Sequence, residues 1–147
     1  MKNLLLILLV FVCNIAFSQT TITQLINVAK MDSESFEIYA MNKGYRFYEY
    51  LDKEDAQGIS MFQGEYGTEK YLIKYLEFFG KKNSVNYQTA NTNELSKLYI
   101  ELDALGFKLN WKGQRDENFV KEYTRGNESL NIFIKQNWLE IGYNSGK

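Results

Sequence analysis

Two stretches decide the fold: Asp32–Phe47 reads DSESFEIYAMNKGYRF, and Asn93–Leu109 reads NELSKLYIELDALGFKL. Each is an amphipathic helical stretch, then a glycine, then a strand led by an aromatic residue. Superposing Gly44 on Gly106 sets Phe36 on Leu98, Ala40 on Leu102, Tyr45 on Phe107 and Phe47 on Leu109. The glycines suit the left-handed residue that ends a helix. Asp32 or Ser33 suits the start of the first helix. Asn91 with Glu94 is spaced like a capping box for the second, with Thr92 as a competing cap.

The similarity runs on downstream. Glu65-Tyr66 parallels Glu122-Tyr123, and Glu69–Tyr75 parallels Glu128–Ile134. The expectation is a repeated unit, with repeat one over about 19–90 and repeat two over about 91–147.

Working outward, Ile22, Leu25, Ile26 and Ala29 are spaced like one face of a short helix. The first longer helix is predicted over Ser33–Lys43. Strands are predicted near Tyr45–Leu51, Gln57–Gln63, Lys70–Phe78 and Ser84–Gln88. A second helix over Thr92–Leu105 is followed by strands near Phe107–Trp111, Phe119–Arg125, Glu128–Gln136 and Trp138–Tyr143. Short polar and glycine-bearing turns separate the strands, and several strands alternate apolar with polar residues. That pattern means antiparallel pairing with one face covered. The fold class is therefore α+β: two helix-plus-four-strand units making an antiparallel sheet with helices on one face.

Before this domain, residues 1–18 read as an export signal. Lys2 begins it, Leu4–Val12 is an apolar run, and Ala16 with Ser18 suits cleavage that leaves Gln19 first. The run is too short to span a bilayer. A lipoprotein signal would need a small residue before Cys13, where Val12 stands. Cleavage removes the single Cys, so the mature domain is expected to hold no disulfide and no thiol chemistry. The abundance of Lys over Arg, with many Asn, Ile, Tyr and Phe, is the usage of an AT-rich bacterial genome. The periplasm or the exterior is the expected location, with no transmembrane segment in the mature chain.

Composition narrows the chemistry. There is no His among 147 residues, which removes the usual general base and the commonest metal ligand. The net charge of −1 gives no electrostatic reason for a nucleic-acid partner. No nucleophile motif or phosphate-cradling loop is present. Gly64-Glu65-Tyr66-Gly67 reads as a hairpin turn, and the acidic groups Asp52/Glu54/Asp55 and Asp116/Glu117 read as solvated loops without calcium-loop spacing. No catalytic residue, metal or cofactor is assigned. Paired carboxylates drawn from Glu49, Glu65, Glu77, Glu101, Glu122 and Glu140 remain the one route to hydrolysis.

Aromatic residues, 16% of the chain, are the unusual feature. By strand parity, Tyr45, Phe47 and Leu51 face the helices, and Tyr48, Tyr50 and Phe62 stand on the uncovered face. Phe133 and Trp138 are out of phase with their apolar neighbours and join that face. Tyr48, Tyr50, Phe62, Phe133 and Trp138 are therefore the candidate binding residues. The same rings also stabilise a sheet by cross-strand pairing, and both readings stand at this point.

The doubled helix-plus-four-strand plan resembles the tandem-repeat fold of beta-lactamase inhibitory proteins, which are secreted bacterial proteins. The resemblance is one of topology over the whole mature chain and involves no shared motif. It implies one sheet whose open face grips an enzyme through aromatic and polar side chains. Those proteins carry disulfides, and this mature chain has no Cys. The expected function is an exported, non-enzymatic module that binds another envelope or secreted protein, as an inhibitor or immunity protein does. The alternatives are a periplasmic carrier of a glycan or lipid, and a carboxylate-based envelope hydrolase.

Overall fold

The structure is a computed structural model that describes residues 20–64, 69–78 and 83–146. Residues 1–18, expected to be an export signal, and residues 65–67, expected to lie in a hairpin turn, fall outside the described residues.

Among the described residues, three helices and eight strands follow one another: α1 (Ile22–Ala29), α2 (Ser33–Asn42), β1 (Arg46–Lys53), β2 (Ala56–Gln63), β3 (Lys70–Phe78), β4 (Ser84–Thr89), α3 (Leu95–Ala104), β5 (Lys108–Arg115), β6 (Asn118–Arg125), β7 (Glu128–Ile134) and β8 (Leu139–Ser145). All eight strands form one antiparallel sheet in the order β1-β2-β3-β4-β8-β7-β6-β5. Each half is a four-stranded meander, and the two meanders join where β4 pairs with β8.

The halves repeat in detail. Gly44 and Gly106 both have positive φ, 84° and 80°. The next residue, Tyr45 or Phe107, donates its N–H back to Ala40 or Leu102, each at 3.0 Å. These bonds draw on carbonyls of the last helical turn, where the regular intrahelical donors run out. Gln63 donates to the Lys43 carbonyl at 3.3 Å, and Arg125, its counterpart, donates to the Leu105 carbonyl at 2.9 Å. The strand register corrects one expectation. Phe62 pairs with Tyr71 where its counterpart Thr124 pairs with Ser129, so Tyr71 matches Ser129 and Leu72 matches Leu130. The parallel drawn between Glu69–Tyr75 and Glu128–Ile134 is out by one residue. Likewise Glu122 matches Ser60, not Glu65, which is outside the described residues.

All three helices pack on one face of the sheet. Phe36, Ala40, Leu98 and Leu102 meet Ile59, Met61, Leu72, Val85, Tyr87, Leu130, Ile132, Leu139, Ile141 and Tyr143 in one buried cluster. Full burial of such a side chain contributes roughly 1.5–3 kcal/mol.

Helix α1 is held from several sides. Thr21 and Gln24 form a capping box at 3.1 and 3.0 Å. Glu101 on α3 accepts from the N–H groups of Ile22 and Thr23 at 2.7 and 2.9 Å. A carboxylate at a helix N-terminus meets both its free donors and its dipole. At the other end, buried Lys74 donates to the Ala29 carbonyl at 2.6 Å. Burial holds the pKa of that amine below its ordinary value.

The start of α3 differs from the expectation. A 3-10 turn over Thr92–Glu94 comes first, and Asn91 accepts from the Asn93 N–H at 3.2 Å. Glu94 makes no capping box. Its carboxylate turns inward, accepting from the Tyr87 hydroxyl at 2.8 Å and facing the Lys70 ammonium at 3.1 Å. A buried charge with a cation and a hydroxyl in reach outcompetes a solvent-exposed cap.

Replacing Glu101 with Ala should cost about 1–2 kcal/mol, since a charged acceptor on a helix N-terminus is lost. Urea denaturation measures the cost, and the Ile22 and Thr23 amides should exchange faster with deuterium. A second prediction concerns Glu128, which accepts from Arg125 at 2.6 Å and from the Tyr143 hydroxyl at 2.7 Å. The Arg125 bond holds its carboxyl below the ordinary carboxylate pKa. A lowered folded-state pKa stabilises above the unfolded value and is lost as pH falls through the folded one. Glu128→Gln should therefore melt below the parent at pH 7, and the gap should close as pH drops below about 4.

Candidate functional site

The opposite face of the sheet carries no described helix. Its residues are those that alternate with the core: Ser60 and Phe62 on β2, Tyr71 and Ile73 on β3, Asn86 and Gln88 on β4, Glu140 and Gly142 on β8, Asn131 and Phe133 on β7.

Four rings meet there. Tyr71 is central, with centroids 5.7 Å from Tyr48, 4.8 Å from Phe62 and 6.3 Å from Trp138. Tyr48 also lies 6.3 Å from Phe62. The Tyr48–Tyr71 pair is edge-to-face, the arrangement that sets a positive ring edge on a negative ring face. Partial burial first, then the nearby Tyr48 and Glu69, push the Tyr71 hydroxyl pKa up, so it stays protonated at neutral pH. Tyr48 keeps 57% of its surface exposed, so this end of the cluster is open to a partner.

Strand β1 carries the main correction. Phe47 pairs with Met61, Glu49 with Ser60 and Tyr50 with Ile59, so Tyr48 is an extra residue in a β-bulge. A bulge sets two residues against one and reverses the phase beyond it. Tyr48 stays on the helix-free face. Tyr50 moves to the helix side, where its ring lies 4.7 Å from Phe47 and keeps 66% exposure. Leu51 moves the other way and pairs with Gly58. The second half bulges at the matching place, between Leu109 and Trp111.

Of the other predicted residues, Phe62 and Trp138 join the cluster. Trp138 does so from the β7–β8 turn, ahead of the start of β8 at Leu139. Phe133 is half-buried on the same face, paired with Glu140. Tyr71 was missed, although its phase against Leu72 was the available signal. Trp111 was missed too. It is paired with Glu122 on this face, with the Arg115 guanidinium 4.5 Å above its ring.

Beside Trp138 is a shallow depression of about 200 Å³ lined by Gln88, Lys135, Trp138 and Glu140. Two carboxylates on this face are tied to cations. Glu140 is 3.2 Å from Lys135, and Glu122 is 2.6 Å from Arg115. Among the described residues, no group of three carboxylates could hold a metal ion. No described helix is long and apolar enough to cross a membrane.

Compared with protein-family models, with curated proteins and with solved structures, the chain matches none.

Tyr71→Ala should cost about 1–3 kcal/mol, since three ring contacts of roughly 0.5–1.5 kcal/mol each are weakened. Tyr50→Ala should stay within about 0.5 kcal/mol, as surface changes do. Urea denaturation compares the two, and Trp138 emission should move only in the Tyr71 variant.

Proposed function

We propose that the chain is an exported, non-enzymatic binding module whose helix-free sheet face grips another protein of the bacterial envelope or exterior, in the manner of an inhibitor or immunity protein. One observation carries this reading: four rings from β1, β2, β3 and the β7–β8 turn converge on the face that no described helix covers. Tyr and Trp bring large contact area at low entropy cost, and clusters of them dominate interface energetics. Tyr48 is exposed and the other three rings are half-buried, so a partner can cover apolar surface that the sheet leaves open. The absence of His and the pairing of Glu122 and Glu140 with cations support a role without catalysis. The topological resemblance to beta-lactamase inhibitory proteins implies the same use of an open face.

A second reading, a glycan carrier, draws on the depression beside Trp138. There an indole lies next to the amide of Gln88 and the carboxylate of Glu140. A sugar bound only to the folded chain must raise its melting midpoint.

The test places a photo-cross-linking amino acid at Tyr71 in the producing cell, and the same group at Ile38 on an exposed helix surface. A discrete cross-linked protein from position 71, absent from position 38, is expected. Tyr48→Ala should diminish that product at least fivefold. Equal products from both positions, or none from 71, would remove the ring face as the contact surface.

A further inference from the structure

The centre of the helix-free face holds a glycine that the fold does not need. Gly142 is in the middle of β8, flanked by core residues Ile141 and Tyr143. Its φ is not in the left-handed region, and a Cβ added there would meet no atom within 4 Å. Glycine weakens a strand interior, and a β-carbon would fit here at no steric cost. What its absence leaves is an open dent in the sheet floor.

Polar side chains ring that dent. Asn86 and Asn131 are its cross-strand partners, and Glu140 and Asn144 precede and follow it on the same face. Asn86 donates its Nδ2 to Glu140 at 2.8 Å, so its Oδ1 is fixed as an acceptor. Yet Asn86 Oδ1, Asn144 Oδ1 and the Oγ of Ser84 have no hydrogen-bond partner, although they are shielded from water. Leaving such atoms unpaired costs stability, and only an incoming donor relieves it. Glu140 adds the local negative charge. It also lines the depression beside Trp138, so dent and depression share a wall.

We infer that this dent receives an arginine side chain of the partner protein, an assignment that rests on the binding reading above. A guanidinium is planar, carries five N–H donors and no acceptor, and stacks on aromatic faces. It answers unpaired acceptors and a carboxylate together, and the Phe133 ring stands on the same face, paired with Glu140. The Lys135 ammonium, 3.2 Å from Glu140 and partly exposed, holds the carboxylate in the free protein and is displaced on binding.

The experiment follows backbone amide shifts of the full chain on titration with acetyl-Gly-Arg-Gly-amide, its citrulline analogue and chitotetraose. The arginine peptide should move the Gly142 and Asn131 amides with an affinity at least fivefold above that of citrulline, which keeps the shape and loses the charge. Gly142→Val should abolish the response while its melting midpoint stays level or rises, which separates a filled dent from a broken fold. Glu140→Gln should weaken the peptide about tenfold. Lys135→Ala should tighten it severalfold, an effect that loss of structure would not produce. Citrulline binding equally well, a response that survives Gly142→Val, or no localised shift in the millimolar range would overturn the inference. Chitotetraose outbinding the arginine peptide at Gly142 would overturn it in favour of a glycan. If the Tyr71 cross-link persists while the arginine response fails, only the anchor falls; if the cross-link is missing, the face reading falls with it.

Discussion

The molecule depends on the pairing of β4 with β8. It is the single seam between the two meanders, and it divides side chains by parity. Val85, Tyr87, Ile141 and Tyr143 point to the helices and are buried, while Ser84, Asn86, Gly142 and Asn144 point the other way. A slip of one residue at this seam would move apolar side chains into water and amides into the core. The seam thus fixes the core and the polar floor in one step. The rings of the first half and those of the second then lie to either side of that floor.

Repetition shows which interactions each half needs and which are particular to one. The glycine at the helix end, the backward bond from the next residue and the donor to the last helix carbonyls occur in both halves. These are solutions to the unpaired carbonyls at a helix C-terminus. The departures are local. Lys74 stands across from Ile59 where its counterpart Ile132 faces Lys121, and it caps α1, which has no equivalent in the second half. Tyr71 and Phe62 correspond to Ser129 and Thr124, so the cluster is not repeated: three of its four rings come from the first half, and Trp138 of the second half joins them. The frame is repeated and the surface is not, as expected when a scaffold serves a site on one side.

Much of this was legible in the chain. Gly44 and Gly106 mark true helix ends, and alternation in β7 and β8 separates core from surface. Phe62, Phe133 and Trp138 were placed on the right face by phase alone. What could not be read was the β1 bulge. No glycine marks Tyr48, so strict alternation carried Tyr50 to the wrong side. Glu94 was misread because its inward partners, Tyr87 and Lys70, are brought to it only by the sheet. The dent at Gly142 was invisible because its significance comes from Asn86 and Asn131, on strands far away in sequence.

Helix α1 has a consequence for how the chain reaches this state. It opens the described domain, yet it rests on β4 and on the last strand, β8, and Glu101 from the second half grips its first turn. Its seat does not exist until nearly the whole polypeptide is available. Such distant closure makes folding slow relative to a protein of local contacts. A ribosome-bound chain would thus hold this helix undocked, and assembly would finish in one late, cooperative step.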